Sequence, residues 1–350
     1  MTRPVPSAKP TAISSGNDPR TWAMFLLLSA IWGSSFVWIA LILDEDVPPL
    51  TLVSLRTLFG AVLLAAFLYA RGGRLPLHWD LWKRMGFLAA TNIVIPFSLI
   101  AWGQQYIDSG VASILNAMVP LYTMIFATVA LADERITIPR FGGLVVGFVG
   151  VVLLALPSLG AAGTDSNAAL AVVGMLAVAG AAMSYGIASV YTRRRIAGQP
   201  IIRRLDGSTR APLPVETALG STLAAFVMIS LLALVFERPP GGLLHVPQSP
   251  VGWVGLLWLG GLGTAVAYLF FFRIIERWGA TRTTLVTYVI PVVAIALGFI
   301  VLGERLRPLE LAGAALIIGG VVMVNSNIGQ RPLFGRAAAE ARAQTEAEVE

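Results

Sequence analysis

The sequence predicts an all-α integral membrane protein of ten transmembrane helices, arranged as two inverted five-helix repeats. Of its 350 residues, 56% are hydrophobic and only 13% charged, against roughly 45–50% and 25% in an average soluble domain. That apolar excess cannot all be hidden behind a polar surface. Apolar stretches long enough to cross about 30 Å of hydrocarbon recur ten times. The two halves of the chain also carry the same marks in the same order at a near-constant spacing.

The spans follow in order, each ending where charge resumes. Span 22–43 follows some 20 polar residues and is too long for the core of a cleaved signal peptide, so it remains as a helix. Span 47–70 begins after the Asp44-Glu45-Asp46 cluster, 85–105 after Lys83-Arg84, and 111–132 ends at Asp133-Glu134-Arg135. Span 141–159 follows Arg140, and 168–192 ends at Arg193-Arg194-Arg195. Residues 193–216, rich in Arg and Pro, form a basic loop before span 217–236. Spans 251–272, 283–302 and 309–327 are separated by Arg273 to Arg282 and by Gly303 to Arg307. The domain reading is a tail at 1–20, a first repeat at 21–160, a second at 165–328 and a tail at 329–350.

Orientation follows from the cations, because short loops rich in Lys and Arg stay cytoplasmic. With the N-terminus inside, 21 Lys and Arg fall on the inner side and three (Arg238, Arg305 and Arg307) on the outer. Both termini are therefore expected in the cytoplasm. The net charge of +6 and pI near 10.0 then reflect topology and attraction to anionic inner-leaflet lipid, not a nucleic-acid footprint.

At an offset of 170 residues Glu134 meets Glu304, Arg135 meets Arg305, Gly143 meets Gly313, and Gly150 meets Gly320. Pro120 meets Pro291 at 171. Five spans is an odd number, so the second copy enters the membrane from the opposite side. Many secondary transporters are built that way.

The chain resembles the drug/metabolite transporter superfamily, specifically its bacterial members with two EamA repeats. The resemblance rests on Trp32-Gly33-Ser34-Ser35-Phe36, Arg56, Pro120 and Glu134-Arg135 in the first half. In the second it rests on Ser184-Tyr185-Gly186, Thr264 to Tyr268, Gly279-Ala280, Pro291 and Gly303-Glu304-Arg305. It implies a ten-helix exporter of small metabolites, commonly amino acids or related compounds, in the bacterial inner membrane. Some members move drugs or other metabolites.

Other chemistries find no residues to run on. The absence of Cys removes thiol nucleophiles, Cys-based zinc sites and disulfides. Lys9 and Lys83 stand in no P-loop context. His78 and His245 fall on opposite sides of the membrane, so neither a shared metal nor a triad is expected, and no cofactor is called for. Ala182 to Gly186 only approaches a nucleophile elbow. An intramembrane enzyme and a receptor without flux stay open as alternatives. The expected partners are a small-molecule substrate and membrane lipid; the oligomeric state is open, and a monomer suffices.

Arg56 sits some nine residues into its span, where a charge costs at least ~2.5–3.5 kcal/mol unless it finds a partner or water. It is read either as the partner of a substrate carboxylate or as a brace reaching toward a neighbouring helix or headgroup. No Asp or Glu lies comparably deep, which argues against obligatory proton coupling. Polar and aromatic residues at mid-span complete the candidate substrate site: Trp32, Ser35, Asn92, Trp102, Asn116, Ser184, Tyr185, Tyr268 and Tyr288. Pro96, Pro120 and Pro291 are read as kinks inside helices and as candidate hinges. Gly143-x-x-x-Gly147 and Ala315-x-x-x-Gly319 are read as packing motifs.

Overall fold

In the computed structural model, residues 18–130, 138–161, 166–203, 208–237, 245–271, 273–274, 277 and 286–325 are described. Glu134-Arg135, Gly279-Ala280, residues 1–17 and the C-terminal tail lie outside the described residues. The chain runs α1 (Pro19–Leu43), α2 (Pro49–Ala70), α3 (Trp79–Gly103), α4 (Ser109–Ala130), α5 (Ile138–Ala161) and α6 (Ser166–Arg195). It continues through α7 (Pro214–Phe236), α8 (Pro250–Phe271), α9 (Val286–Leu302) and α10 (Pro308–Asn325). Among the described residues, seven helices are long and apolar enough to cross a membrane, and three shorter apolar helices accompany them. The third and sixth begin earlier than the apolar stretches predict, at Trp79 and Ser166. The basic loop is more ordered than expected: β1 (Ile202–Arg203) and β2 (Thr209–Arg210) pair antiparallel.

Helix starts are built from Pro in the first turn, where its missing N–H costs nothing; α1, α2, α7 and α8 all use it. At the end of the bundle that carries Glu45, acidic side chains supply what Pro leaves undone. Glu237 Oε1 accepts from Leu50 N at 2.7 Å and its Oε2 from Thr51 N at 2.7 Å, at the start of α2. Glu304 accepts from Ser109 N at 2.7 Å and Gly110 N at 3.1 Å, at the start of α4. Glu45 accepts from Gln248 N at 2.8 Å and Ser249 N at 3.0 Å, at the start of α8. Each is a carboxylate on the orphan donors and positive dipole end of a helix, and each ties an element of the first half to one of the second. At the opposite end Asp18 caps α1 and meets Arg277 at 2.5 Å.

Pairing between the halves is reciprocal. α5 and α10 meet through glycines: a Cβ added at Gly150 would lie 2.7 Å from Gly313 O, and one at Gly313 would lie 2.7 Å from Gly150 O. A Cβ at Gly320 would lie 2.5 Å from Gly143 O. The contact runs through Gly143, Gly147, Gly150, Gly313 and Gly320, while Gly319 faces open space. The Ala315-x-x-x-Gly319 packing reading is thereby corrected, because Gly319 lies off the side of α10 that meets α5. Gly33 on α1 lets that helix approach Ile290 O of α9, and Gly186 on α6 lets its helix approach Tyr122 of α4. Ile290 precedes Pro291 and Tyr122 follows Pro120 by two, so matched helices meet at matched places.

The three candidate hinge prolines lie within α3, α4 and α9. Pro120 opens an α-helical stretch at Val119 after a break at Ala117-Met118, and Pro96 starts another just after a π-helical stretch. Each follows a local break within its helix, so its missing N–H falls where the backbone ladder is already interrupted. Pro291 does lie inside a helix, buried.

Candidate functional site

α3 and α8 are interrupted by wide π-turns at Ala90–Val94 and Trp258–Val266. Shifted by 170, the first stretch falls inside the second. A π-turn displaces the backbone ladder and presents carbonyls sideways, a device common at functional sites. Both carbonyls are used across the halves: Ser184 Oγ of α6 donates to Thr91 O at 2.7 Å, and Trp32 Nε1 of α1 donates to Gly263 O at 3.2 Å. Gly263 lacks a Cβ where one would lie 3.4 Å from Ser35 Oγ and 3.8 Å from Arg56 Nη2. Gly260 likewise lets α8 approach the Arg56 carbonyl.

Arg56 lies between these two π-turns, 6% exposed. It stands seven residues in from Pro49, about 10 Å along the helix. Its guanidinium carbon sits 3.9 Å from the centroid of the Phe97 ring, a cation–π contact. Its electrostatic neighbours are Tyr185 and Tyr268. Asn92 Nδ2 donates to the Tyr268 hydroxyl at 3.2 Å, and Tyr185 meets Phe97 edge-on with centroids 6.5 Å apart. Among the described residues Arg56 Nε is buried without a hydrogen-bond partner. A buried donor left in that state is expensive, of order 1–3 kcal/mol and more for a charge.

The structure therefore gathers Trp32, Ser35, Arg56, Asn92, Ser184, Tyr185 and Tyr268 around the two π-turns. Trp102 stands apart, packed against Tyr106 at the far end of α3 with centroids 5.0 Å apart. Tyr288 donates its hydroxyl to Val321 O at 3.0 Å, bracing α9 on α10. Asn116 ends the first half of broken α4 with its Oδ1 buried and unpartnered among the described residues.

Sequence reasoning missed Phe97, whose place under Arg56 shows only in three dimensions, and the two π-turns. The Gly260-Gly261-Leu262-Gly263 run was a signal for the second, since glycines admit a close backbone approach. Gln104 was also missed: it is buried and donates Nε2 to Phe36 O at 2.9 Å. Glu216, read as a loop residue, lies in the first turn of α7 at 3% exposure, held by Arg210 in a bidentate pair at 2.8 and 2.6 Å. No group of His, Asp and Glu that could hold a metal ion occurs among the described residues.

The model of the EamA-like transporter family matches residues 20–156 and 172–326, one copy in each half. The chain is 25% identical to the uncharacterized transporter YoaV of Bacillus subtilis, over 87% of this chain and 96% of that one. It is 26% identical to the uncharacterized inner membrane transporter YedA of Escherichia coli, over 87% and 90%. A probable terminal-alkyne amino-acid exporter of Streptantibioticus cattleyicolor is 29% identical over 89% and 95%. A solved structure 22% identical superposes with a TM-score of 0.57, covering 89% of this chain and 99% of that one, and shares the fold. The chain belongs to the EamA-like transporter family and is a multi-pass membrane transporter of the drug/metabolite type.

Proposed function

We propose that the protein exports small carboxylate-bearing metabolites, amino acids or related compounds, across the bacterial inner membrane by alternating access. The observation that carries this reading is Arg56, a buried guanidinium with an unused donor at the meeting point of both halves. A permanent charge kept there against its insertion cost has a use, and a carboxylate is the group whose geometry matches its fork. The name of the Streptantibioticus relative agrees with a substrate of that kind.

The reading takes the ten helices as two copies inserted in opposite senses. The exchanged contacts support it: Gly150 with Gly313, Gly33 near Pro291 beside Gly186 near Pro120, and Trp32 on Gly263 beside Ser184 on Thr91. Contacts in which each partner's role is exchanged are the mark of a two-fold axis. The 21 cations on one side support cytoplasmic termini. Substrate enters from the cytoplasm between the halves, and the halves rock to open the outer face.

Flux measured in proteoliposomes against a broad metabolite panel tests the reading. Transport that is lost in Arg56→Ala with folding intact is the expected result. A correctly inserted protein that moves nothing, or an Arg56→Ala variant that transports normally, contradicts it.

A further inference from the structure

Resting on that export reading, we infer that the Arg56 site takes metabolites of net charge −1 with an apolar body in preference to zwitterions, and that the membrane potential drives their exit without a coupled cation.

The argument is a balance of charge. Arg56 is the only charged residue that the sequence places deep within a predicted span, and among the described residues every Asp and Glu lies at a helix end or in a connection. Glu45, Glu237 and Glu304 are each committed to the backbone N–H groups of a helix start, and Asp108 stands at the N-cap of α4. The groups near Arg56 from α3, α6 and α8 include the Phe97 ring and the hydroxyl-bearing Tyr185 and Tyr268, all uncharged, with Ser35 of α1 close by at Gly263. One monoanion neutralises this pocket of charge and satisfies Nε. A zwitterion brings an ammonium as well, repelled by Arg56 and met by no carboxylate, and an unpaired buried charge is heavily penalised. Phe97 and Tyr185 bring aromatic surface to the guanidinium, the Phe97 face against Arg56 and Tyr185 edge-on to Phe97, and walls of that kind suit an apolar body.

The driving force follows from the same balance. Arg56 stays with the protein, so the charge that crosses the membrane is the substrate's own. A cytoplasm at negative potential expels a monoanion, and no intramembrane carboxylate is needed to carry a proton.

Two matched series test this on the purified protein. One is 3-phenylpropanoate, phenylalanine and phenethylamine; the other is 4-methylpentanoate, leucine and isoamylamine. Ligand stabilisation against thermal unfolding is expected at concentrations at least tenfold lower for the acids than for the amino acids, with no effect of the amines. Arg56→Gln erases the ranking and Arg56→Lys retains it. In proteoliposomes, a potential of about 59 mV, negative inside, sustains a tenfold outside excess of the transported acid. Amino acids that stabilise as well as the acids, no response to either series, or flux indifferent to potential overturns the inference. Potential-independent phenylalanine flux does so while leaving the export reading intact. Charge-ranked binding with no flux across a broad panel overturns the export reading and the potential-driven step with it.

Discussion

Gly150 and Gly313 approach each other so closely that a methyl group on either would fall 2.7 Å from the carbonyl oxygen of the other. Backbone on backbone leaves no flexible side chain to move aside, so overpacking must push α5 and α10 apart, at about 1–3 kcal/mol. Because the contact is exchanged between the halves, Gly150→Ala and Gly313→Ala should lose similar stability. Gly319→Ala, with nothing within 4 Å, should be neutral or slightly stabilising. Thermal unfolding in detergent compares the three, and an equal loss in Gly319→Ala would contradict the packing described.

At the centre, Arg56→Gln keeps some hydrogen bonding but removes the charge and the fork. Transport efficiency should fall at least tenfold, equivalent to about 1.4 kcal/mol of transition-state stabilisation. Arg56→Lys should fall in between, since a compact ammonium lacks the planar fork that pairs with both carboxylate oxygens. Initial rates at matched insertion levels decide this, and a wild-type rate in Arg56→Gln would assign the residue to architecture alone.

The carboxylate clasps can be tested one at a time. Glu304 receives Ser109 N, Gly110 N and Ser109 Oγ, so Glu304→Gln removes charge-assisted bonds worth about 1.5–3 kcal/mol to a charged group. The variant should unfold at lower temperature than wild type, and Glu310→Gln, at an exposed bond to Arg307 N, should lose less. Equal losses would show that the location of Glu304 between the halves adds nothing.

Glu45 supplies a pH dependence with a definite sign. The Ser249 hydroxyl, followed by the backbone groups of Ser249, Gln248 and Gly252, holds its carboxyl below the usual value of 4.5. A carboxylate with a depressed folded pKa contributes stability that is present above 4.5 and lost as pH falls through the folded value. The gap in unfolding temperature between wild type and Glu45→Gln should be constant near neutrality and close below pH 4.5. A gap that widens on acidification would reverse the sign and refute the clasp.

Much of this architecture is legible in the chain because lipid imposes a simple rule: twenty apolar residues must become a helix. The spans, the offset of 170 and the deep cation Arg56 all follow from composition and position. What residue type cannot convey is direction around a helix. Trp102 and Tyr288 read like Tyr185 and Tyr268, yet one packs on Tyr106 and the other braces Val321. Residue type alone does not show that Glu45, Glu237 and Glu304 reach across to helix starts. Pro96 and Pro120 are legible as positions inside spans, but residue type does not show the breaks ahead of them, a π-turn and the Ala117-Met118 step.

The central claim is that the two halves enter the membrane in opposite senses. The chain has no Cys, so single cysteines can be placed without removing any. Asp80 opens α3 and His245 precedes α8, the matching helix of the other half, and both are exposed. A membrane-impermeant maleimide applied to intact cells should label His245→Cys at once and Asp80→Cys only after permeabilisation. Labelling of both from the same side would contradict the inverted arrangement and the transport path built on it.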